Sequence, residues 1–444
     1  MKTTTRPGRV RVQPGTVADE LRPLLRRVFG GHEPSIDVRF WDGSTIAGTG
    51  STSTTLVLRS PDALRRLLYA PGELGFGRAY VAGDIDVEGD IYDLLDVRHL
   101  MGEVHDHVEV KLDASAMMEL ARVAKQLRVI GMPLPPPLEE ARLHGRRHSK
   151  ERDASAVAHH YDVGNDFYRL VLGESMVYSC AYWAGAASIT EAQEAKCELV
   201  CRKLNLGPDV RLLDVGCGWG TMAIHAARRY ATRVVGVTLA REQAELARAR
   251  VRDAGLEKLV EIRFQDYRDV NDGPFDAISS IGMFEHVGKE QRDAYLTGMF
   301  GLLRPHGRLL NHAISSPNAR GGAIPPRSFV GRYVFPDGEL MEVGAVITAM
   351  QNIGFEVRDL ESLREHYAQT LRVWVHNLEE HWEDAIGLVG VARARVWRLY
   401  MAAAAVNFEA NRTSVHQVLG VKPAANGGSA MPLSRAGFLA PFSD

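Results

Sequence analysis

The feature that most constrains the fold is an apolar strand that runs into a cluster of glycines and then into a helix. Residues 213–220 read LDVGCGWG, at the end of the apolar run 210–215 and directly before a predicted helix at 221–229. Glycine has no Cβ, so the backbone of such a turn can pass close to a ligand. The pattern therefore predicts a ligand site where this strand ends.

The chain then continues as alternating strands and helices. Helices are predicted at 241–254 and 291–303, and the further strands fall at 233–237, 260–264, 275–280 and 307–312. Such alternation is typical of a parallel sheet covered by helices on both faces. The expected fold is a Rossmann-like α/β domain with a mainly parallel sheet of seven strands, in which ligands bind beyond the carboxyl ends of the strands.

The spacing of the glycines separates two classes of ligand. Gly216, Gly218 and Gly220 give G-x-G-x-G, whereas the dinucleotide fingerprint needs a glycine at 221, where Thr221 stands. Asp214, at the end of the strand, would repel a pyrophosphate. Its carboxylate suits the zwitterionic amino acid half of S-adenosylmethionine, so the motif favours a methyl-donor site.

The next two strands support the same ligand. Thr238 ends the second strand, where a dinucleotide enzyme would carry an acid for the ribose, and Gln243 follows five residues later. Asp266 and Tyr267 follow the third strand and offer a carboxylate for the adenine amino group and a ring for the adenine face. Together these residues predict an S-adenosylmethionine site.

The composition shift along the chain predicts two domains. We expect a small α+β domain at 1–125, a Pro-rich and basic linker at 126–152, and the catalytic domain at 153–435. In the first domain, the β-prone runs 36–40 and 55–59 are expected to form an antiparallel pair. The basic stretch of the linker is either a solvated segment or a contact for anionic lipid headgroups.

The overall charge and the cysteines narrow the function classes. Lys and Arg number 53 against 55 Asp and Glu, which argues against a nucleic-acid binder. The four cysteines form no C-x-x-C pair and have no accompanying histidine cluster, so no metal site is expected. Low cysteine usage, no apolar leader and no long apolar run indicate a cytoplasmic protein, which would reach any lipid substrate from the membrane surface.

Several motifs together carry a resemblance to a known family. The chain resembles the cyclopropane-fatty-acid synthases and the related mycolic acid methyltransferases over about 155–405. Beyond the glycine turn and the segments around Thr238 and Asp266, the matching stretches are HHYDVGNDFY at 159–168, YSCAYW at 178–183, GMFEHVG at 282–288 and YAQTL at 367–371. The N-terminal domain and Pro-rich linker resemble the phospholipid-modifying branch more weakly.

The resemblance implies a reaction and a site. It implies methyl transfer from S-adenosylmethionine to the cis double bond of unsaturated acyl chains in membrane phospholipids, giving a cyclopropane, at the inner face of the membrane. It also implies a homodimer, cofactor contacts from Tyr178 and Ser179, and a pocket lined by Tyr161. A bound bicarbonate ion is implied too, with ligands at Cys180 and Ile314 (both through the backbone), Glu285, His312 and Tyr367.

The reaction asks for particular residue types. An alkene is a weak nucleophile, so the donor must be held in line and water excluded. Positive charge develops on carbon after transfer, and aromatic faces stabilise it; Phe284, Tyr182, Trp183 and Tyr333 are the predicted sources. Glu285, His312 and Tyr367 suit a small oxyanion that accepts the departing proton, and Glu285 beside an anion would carry or share a proton.

Three alternatives stay open at this stage. Loss of a different proton would give a 10-methylene chain on the way to a 10-methyl fatty acid, with a separate reductase as partner. A small-molecule N- or O-methyltransferase would share the cofactor motif, but it would need neither the N-terminal extension nor the bicarbonate residues. A lipid-binding protein that kept the fold without catalysis is the third.

Overall fold

The computed structural model describes residues 15–28, 31–100, 114–141, 152, 163–318 and 324–439. The chain divides into two compact units, 1–137 and 138–444. The predicted linker at 126–152 spans this division. Most of its basic stretch, and the matched residues 159–162 with Tyr161, lie outside the described residues.

The N-terminal unit contains a small sheet of order β2-β1-β3-β4. Its strands are β1 (Asp37–Arg39), β2 (Thr45–Ile46), β3 (Thr55–Leu58) and β4 (Ile85–Glu88). The helices described in this unit are α1 (Val17–Val28), α2 (Asp62–Tyr69), α3 (Glu73–Ala82), α4 (Ile91–Leu100) and α5 (Ala114–Gln126). A single apolar core joins α1, α2 and α5 to the sheet through residues such as Leu21, Val38, Leu64 and Val123.

The predicted antiparallel pairing of 36–40 with 55–59 is wrong. β1 pairs with β3 in parallel, with Val38 opposite Leu56. The chain turns at Gly43, whose φ of +83° suits glycine, and the short strand β2 then takes the antiparallel place beside β1. β3 is left with the other edge of β1, which it meets running in the same direction.

The C-terminal unit is built on one large sheet of order β11-β12-β9-β8-β5-β6-β7, with β10 added beside β9. The strands are β5 (Arg211–Val215), β6 (Arg233–Thr238), β7 (Val260–Phe264), β8 (Phe275–Ile281), β9 (Leu303–Ser316), β10 (Met341–Glu342), β11 (Glu356–Ser362) and β12 (Ser414–Val421). All described pairings are parallel except those of β12, which runs antiparallel to β9 and β11.

Helices cover both faces of this sheet. They are α6 (Asn165–Leu172), α7 (Ile189–Leu204), α8 (Thr221–Tyr230), α9 (Arg241–Asp253), α10 (Arg292–Leu302), α11 (Phe329–Tyr333), α12 (Val343–Ile353), α13 (Arg364–Glu380), α14 (Trp382–Val389), α15 (Val391–Glu409) and α16 (Ala436–Leu439). Separate apolar cores fill the two faces, one around α7, α8 and α9 and the other around α10 and α12.

The boundaries of α7 show how local sequence sets an element. Ser188 caps the N-terminus by accepting a hydrogen bond from the Glu191 amide at 3.2 Å. Asn205 ends the helix in the left-handed conformation. The helix buries Ala192, Lys196, Val200 and Lys203 on one face, so it presents two lysines to the interior.

The Rossmann-like fold predicted from the alternation is confirmed, with each predicted strand found within a few residues of its expected position. In the part of the chain that the structure describes, no helix combines the length and apolarity needed to cross a bilayer.

The central strand gives a test of this packing. Leu213 on β5 is fully buried, so Leu213→Ala should cost about 2–5 kcal/mol of stability and lower the melting temperature by about 5 °C or more. Leu360 on the edge strand β11 is 38% exposed, and Leu360→Ala should cost less than about 1 kcal/mol. Thermal unfolding followed by circular dichroism compares the two, and equal effects would contradict the assignment of the core.

Candidate functional site

The glycine turn after β5 is tied to the neighbouring strand. The amides of Gly216 and Cys217 both donate to the Val237 carbonyl, each at 3.0 Å. Gly218 has a φ of +53°, and apart from Gly218 itself and its two chain neighbours no described residue has an atom within 4 Å of where its Cβ would stand. The turn therefore keeps its shape while the backbone at Gly218 stays open on the cavity side.

A cavity opens beyond the carboxyl ends of β5, β6 and β8 and holds about 1260 Å³ of empty space, part of it open to solvent. Most of the predicted cofactor residues line it, namely Tyr178, Ser179, Asp214, Gly216, Gly218, Thr238, Gln243 and Tyr267. Gly220 and Asp266 do not line it. The Cβ position of Gly220 is only 3.2 Å from Ala247 on α9, so this glycine serves the packing of the turn against that helix.

Asp214 is the buried anion of the cavity. Its Oδ1 accepts a hydrogen bond from the Ser279 hydroxyl at 2.7 Å, while Oδ2 is buried without a partner among the described residues. Burial raises the pKa of this carboxyl to about 6, against the lowering effects of Ser279 and Lys196. An unpartnered carboxylate oxygen facing the cavity fits a cationic donor such as the ammonium group of an amino acid.

Lys196 is a cavity residue that the sequence analysis missed. It lies on α7, is 1% exposed, and its Nζ donates to the Ser179 hydroxyl at 3.1 Å. Its charge acts on Cys180, Asp214 and His312, so these groups surround one buried cation. The sequence did carry a signal, because Lys196 stands in the apolar stripe of an amphipathic helix, where a lysine is rarely fully buried without a role.

The polar residues after β6 and β7 are already engaged with each other. The Thr238 hydroxyl donates to Gln243 Oε1 at 3.0 Å. Asp266 accepts from the Arg268 amide at 2.9 Å and from its guanidinium at 2.7 Å, and this capping starts a 3₁₀ turn at Tyr267. The predicted contact of Asp266 with an adenine amino group stays a prediction, and Arg268 would have to share the carboxylate.

Glu285 and His312 form a second group of buried polar atoms. Glu285 Oε1 accepts from the Ile314 amide at 2.7 Å, and His312 Nδ1 lies 3.2 Å from Gln417 Nε2. Among the described residues, Glu285 Oε2 and His312 Nε2 are buried and have no hydrogen-bond partner. Two such vacant polar atoms in a folded interior call for a ligand or water.

Burial pushes both of these side chains toward their neutral forms. It raises the pKa of Glu285 to about 7, so this carboxyl is partly protonated near neutral pH. It lowers the pKa of His312 well below its usual value, and the charges of Lys196 and Lys203 lower it further. At neutral pH His312 is therefore an uncharged imidazole.

The other residues of the predicted anion site differ in whether their polar groups are already hydrogen-bonded within the protein. The Ile314 amide is occupied by Glu285. Cys180 is fully buried, with its thiol 3.2 Å from the Ala181 carbonyl and 3.6 Å from that of Leu363. Burial raises the pKa of this thiol, which excludes a thiolate nucleophile at neutral pH. Tyr367 lies one helical turn beyond Leu363, with its amide bonded to the Leu363 carbonyl.

A cluster of aromatic rings borders the cavity at Tyr178. The Tyr178 ring centroid is 5.3 Å from Trp374 and 5.7 Å from Trp397, and Tyr168 joins the cluster at 4.8 Å from Trp219. We call these five residues, Tyr168, Tyr178, Trp219, Trp374 and Trp397, the aromatic cluster. The sequence analysis did not single out Trp374 and Trp397, because α13 and α15, which supply them, come to Tyr178 only through tertiary packing.

The four aromatic residues predicted to stabilise positive charge lie elsewhere in the unit, and none is among the cavity-lining residues. Tyr182 stacks on His366 at 4.8 Å, Phe284 packs on Tyr295 at 5.8 Å, Tyr333 stacks on Phe329 at 4.9 Å, and the Trp183 indole donates to the Thr370 hydroxyl at 3.0 Å. Their role in charge stabilisation stays a prediction.

The described cysteines and histidines are not grouped as metal ligands. All four cysteines are buried and free. Across the described ranges, no three histidine, cysteine, aspartate or glutamate side chains are grouped so as to hold a metal ion.

The strand order and the site together define a class of protein. One antiparallel strand inside an otherwise parallel sheet, a glycine turn after β5, and a buried acid at its entry characterise the Rossmann-like methyltransferases that use S-adenosylmethionine. The unpartnered Asp214 oxygen fits the amino group of that cofactor.

Comparison with known proteins then gives the family. Residues 148–418 match the model of the family described as mycolic acid cyclopropane synthetase, and residues 22–103 match a family described as a domain of unknown function. The chain belongs to the mycolic acid cyclopropane synthetase family and is an S-adenosylmethionine-dependent methyltransferase. The family resemblance inferred from the sequence is confirmed.

Relatives match over nearly the whole chain. A probable fatty acid methyltransferase of Mycobacterium tuberculosis is 45% identical over 405 residues, covering 88% of this chain and 92% of the relative. The cyclopropane-fatty-acyl-phospholipid synthase of Escherichia coli is 33% identical over 382 residues, covering 86% and 91%. Among solved structures, mycolic acid cyclopropane synthase CmaA1 complexed with SAH and CTAB has a TM-score of 0.57 at 33% identity, covering 61% of this chain and 98% of that one.

The raised pKa of Asp214 predicts a pH dependence of cofactor binding. The cofactor ammonium needs the carboxylate form, so affinity for S-adenosylhomocysteine should be constant above pH 7 and fall by up to about tenfold per unit below pH 6. Asp214→Asn should weaken binding at pH 8 and abolish this dependence. Isothermal titration calorimetry measures both, with Asp209→Asn, the same change at an exposed position, as the control. A pH-independent affinity in the unsubstituted protein would refute the role of Asp214.

Proposed function

We propose that this enzyme transfers a methyl group to the cis double bond of unsaturated acyl chains in membrane phospholipids and forms a cyclopropane. The observation that carries the proposal is the pair of vacant buried atoms, Glu285 Oε2 and His312 Nε2, in a unit that also holds the cofactor cavity. An amine or a phenol also loses a proton on methylation, so the pair fits those reactions as well, and the names of the relatives favour the acyl chain. The name of the Escherichia coli relative supports the same reaction.

The cofactor would supply an electrophilic methyl group on a sulfonium centre. The protein's part is to hold the donor in line with the alkene and to exclude water. Asp214 and the glycine turn would fix the amino acid end of the cofactor. The aromatic cluster, which meets the cavity at Tyr178 and Trp219, is the better placed surface for an acyl chain and for the faces that stabilise carbon-centred positive charge.

A proton must leave the substrate after the transfer, and we propose that bicarbonate, held by Glu285, His312, Tyr367 and the Cys180 backbone, is the base that accepts it. The residues fit this ion, since His312 Nε2 and a protonated Glu285 offer donors in a buried site. The resemblance assigns the Ile314 backbone directly to the ion. Because the Ile314 amide binds Glu285 at 2.7 Å, we propose that it orients Glu285 instead.

The substrate class implies work at a membrane surface. The basic segment from Arg142 to Arg152 remains our proposal for the contact with anionic headgroups. Arg152 itself forms an ion pair with Asp337, with contacts of 2.5 and 2.9 Å, so its charge is already paired within the C-terminal unit. The homodimer and a partner reductase also stay predictions.

A second product is favoured by one observation, since the 45% identical relative is named a fatty acid methyltransferase and not a cyclopropane synthase. Loss of a proton from the new methyl group, with bonding of that carbon to the cationic carbon, closes the ring. A methylene branch forms instead when a hydride first shifts from the methylated carbon to the cationic carbon and the new methyl group then loses its proton. The two products are isomers of equal mass, so NMR distinguishes them and their mass does not.

The proposal is tested with purified protein, S-adenosylmethionine and vesicles of an oleoyl phospholipid. The released fatty acids should gain one CH2 by mass spectrometry and show high-field cyclopropane protons by NMR. Vinylidene proton signals in place of the cyclopropane signals would show that the product is methylene-branched. Methylation of amines or phenols, with no gain on the lipid, would refute the proposal.

Glu285→Gln tests the proton-handling site. The amide oxygen can still accept from the Ile314 amide, so the pocket should keep its shape, but the side chain can no longer exchange a proton. We expect turnover on oleoyl vesicles to fall at least about a hundredfold, as general acid–base groups typically contribute. Affinity for S-adenosylhomocysteine should change by less than about twofold.

Glu290→Gln is the matched control, because it makes the same change at an exposed position five residues later. It should leave turnover unchanged. Near-normal turnover of Glu285→Gln would remove Glu285 from the proposed anion site.

A further inference from the structure

Gln417 on β12 links His312 to a buried ion-pair network that the proposed reaction has not used. Gln417 is fully buried and lies opposite His312 in the pairing of β12 with β9. Its Nε2 is 3.2 Å from His312 Nδ1, and its Oε1 accepts from Lys203 Nζ at 2.9 Å. The glutamine amide therefore bridges a lysine and an imidazole.

Lys203 fixes which way this amide faces. Its ammonium group can only donate, so the oxygen of the Gln417 amide must be the atom turned toward it. Lys203 is held in turn by Asp359 at 3.1 Å and by Glu361 at 2.5 Å, and Arg435 also binds Asp359 at 2.5 Å. These pairs hold the Lys203 side chain in place, since a buried cation is stable only when it is paired.

The orientation of the amide then determines the imidazole. With its oxygen toward Lys203, Gln417 presents its NH2 group to His312, and that group can only donate. His312 Nδ1 must therefore accept, which leaves the ring proton of the neutral imidazole on Nε2. Nε2 is the atom with no partner among the described residues.

We propose that Gln417, oriented by Lys203, holds His312 as the Nε2–H tautomer, so that His312 offers a hydrogen-bond donor and not an acceptor to the bound anion. The anion part rests on the proposed function, whereas the tautomer part does not. Gln417 and Lys203 are positioning residues, because both act on the anion only through His312.

The alternative is that Gln417 only fills space in the interior and pairs with the polar groups around it. In that case the protonation of His312 would not depend on the identity of residue 417. The ring nitrogens report this directly, because protonated and bare imidazole nitrogens have well-separated ¹⁵N chemical shifts.

The experiment uses full-length protein labelled with ¹⁵N-histidine, at pH 8.5, with His312→Gln to assign the His312 signals in long-range ¹H–¹⁵N spectra. In the unsubstituted protein we expect Nε2 protonated and Nδ1 bare. In Gln417→Glu, a substitution of the same shape, the carboxylate accepts from both Lys203 and the ring, so Nδ1 should gain the proton. Bicarbonate affinity, followed with ¹³C-bicarbonate, should fall about tenfold or more, and S-adenosylhomocysteine affinity should hold.

His416→Gln is the control, since His416 is the neighbour of Gln417 on β12 and its Nδ1 binds the Ser315 hydroxyl at 2.7 Å. It should leave the His312 tautomer unchanged. A protonated Nδ1 in the unsubstituted protein overturns the inference even if Gln417→Glu does not fold, and so does an Nδ1 that stays bare in Gln417→Glu. If the tautomers behave as expected but bicarbonate binds neither protein, the anion assignment of the proposed function fails and the control of His312 by Gln417 stands.

Discussion

The pairing of β9 with strands on both of its sides is the constraint on which the site depends. His312 lies opposite Ile281 of β8 in one direction and opposite Gln417 of β12 in the other. β12 comes late in the chain and runs antiparallel to β9. It places the Gln417 side chain beside His312, at the level where β8 ends with Ile281. A buried strand with neighbours on both sides must satisfy each polar group inside the sheet.

Burial sets the charge state of the site as well as its shape. Desolvation raises the pKa values of Asp214 and Glu285 and lowers that of His312, so all three are driven toward neutrality. Each vacant buried polar atom costs about 1–3 kcal/mol. A ligand that completes these hydrogen bonds recovers that cost, which supports the proposed positions of the cofactor at Asp214 and of the anion at Glu285 and His312.

Much of the fold could be predicted from local sequence, because buried parallel strands read as short apolar runs between helical segments. The strands around Leu213, Val235 and Ile262 were found in this way. The parallel pairing of β1 with β3 was missed, since strand direction depends on where the short β2 inserts. No local sequence pattern indicates where β2 inserts.

The residues of the candidate site likewise differ in whether local sequence could predict them. Asp214 and Thr238 lie in the last residues of their strands, and Glu285 lies in a motif soon after a strand. Sequence patterns at such positions carry information about ligands. Lys196 and Gln417 lie in the middle of a helix and a strand, and only packing brings them to His312 and Asp214.

We propose that the unpartnered atoms Glu285 Oε2 and His312 Nε2 form one anion site beside the cofactor. A crystal structure of the protein with S-adenosylhomocysteine and bicarbonate tests it most directly. The account predicts an anion within about 3.2 Å of both Glu285 Oε2 and His312 Nε2, with the cofactor ammonium at Asp214. Bicarbonate bound elsewhere, with these two atoms satisfied by protein groups, would contradict it.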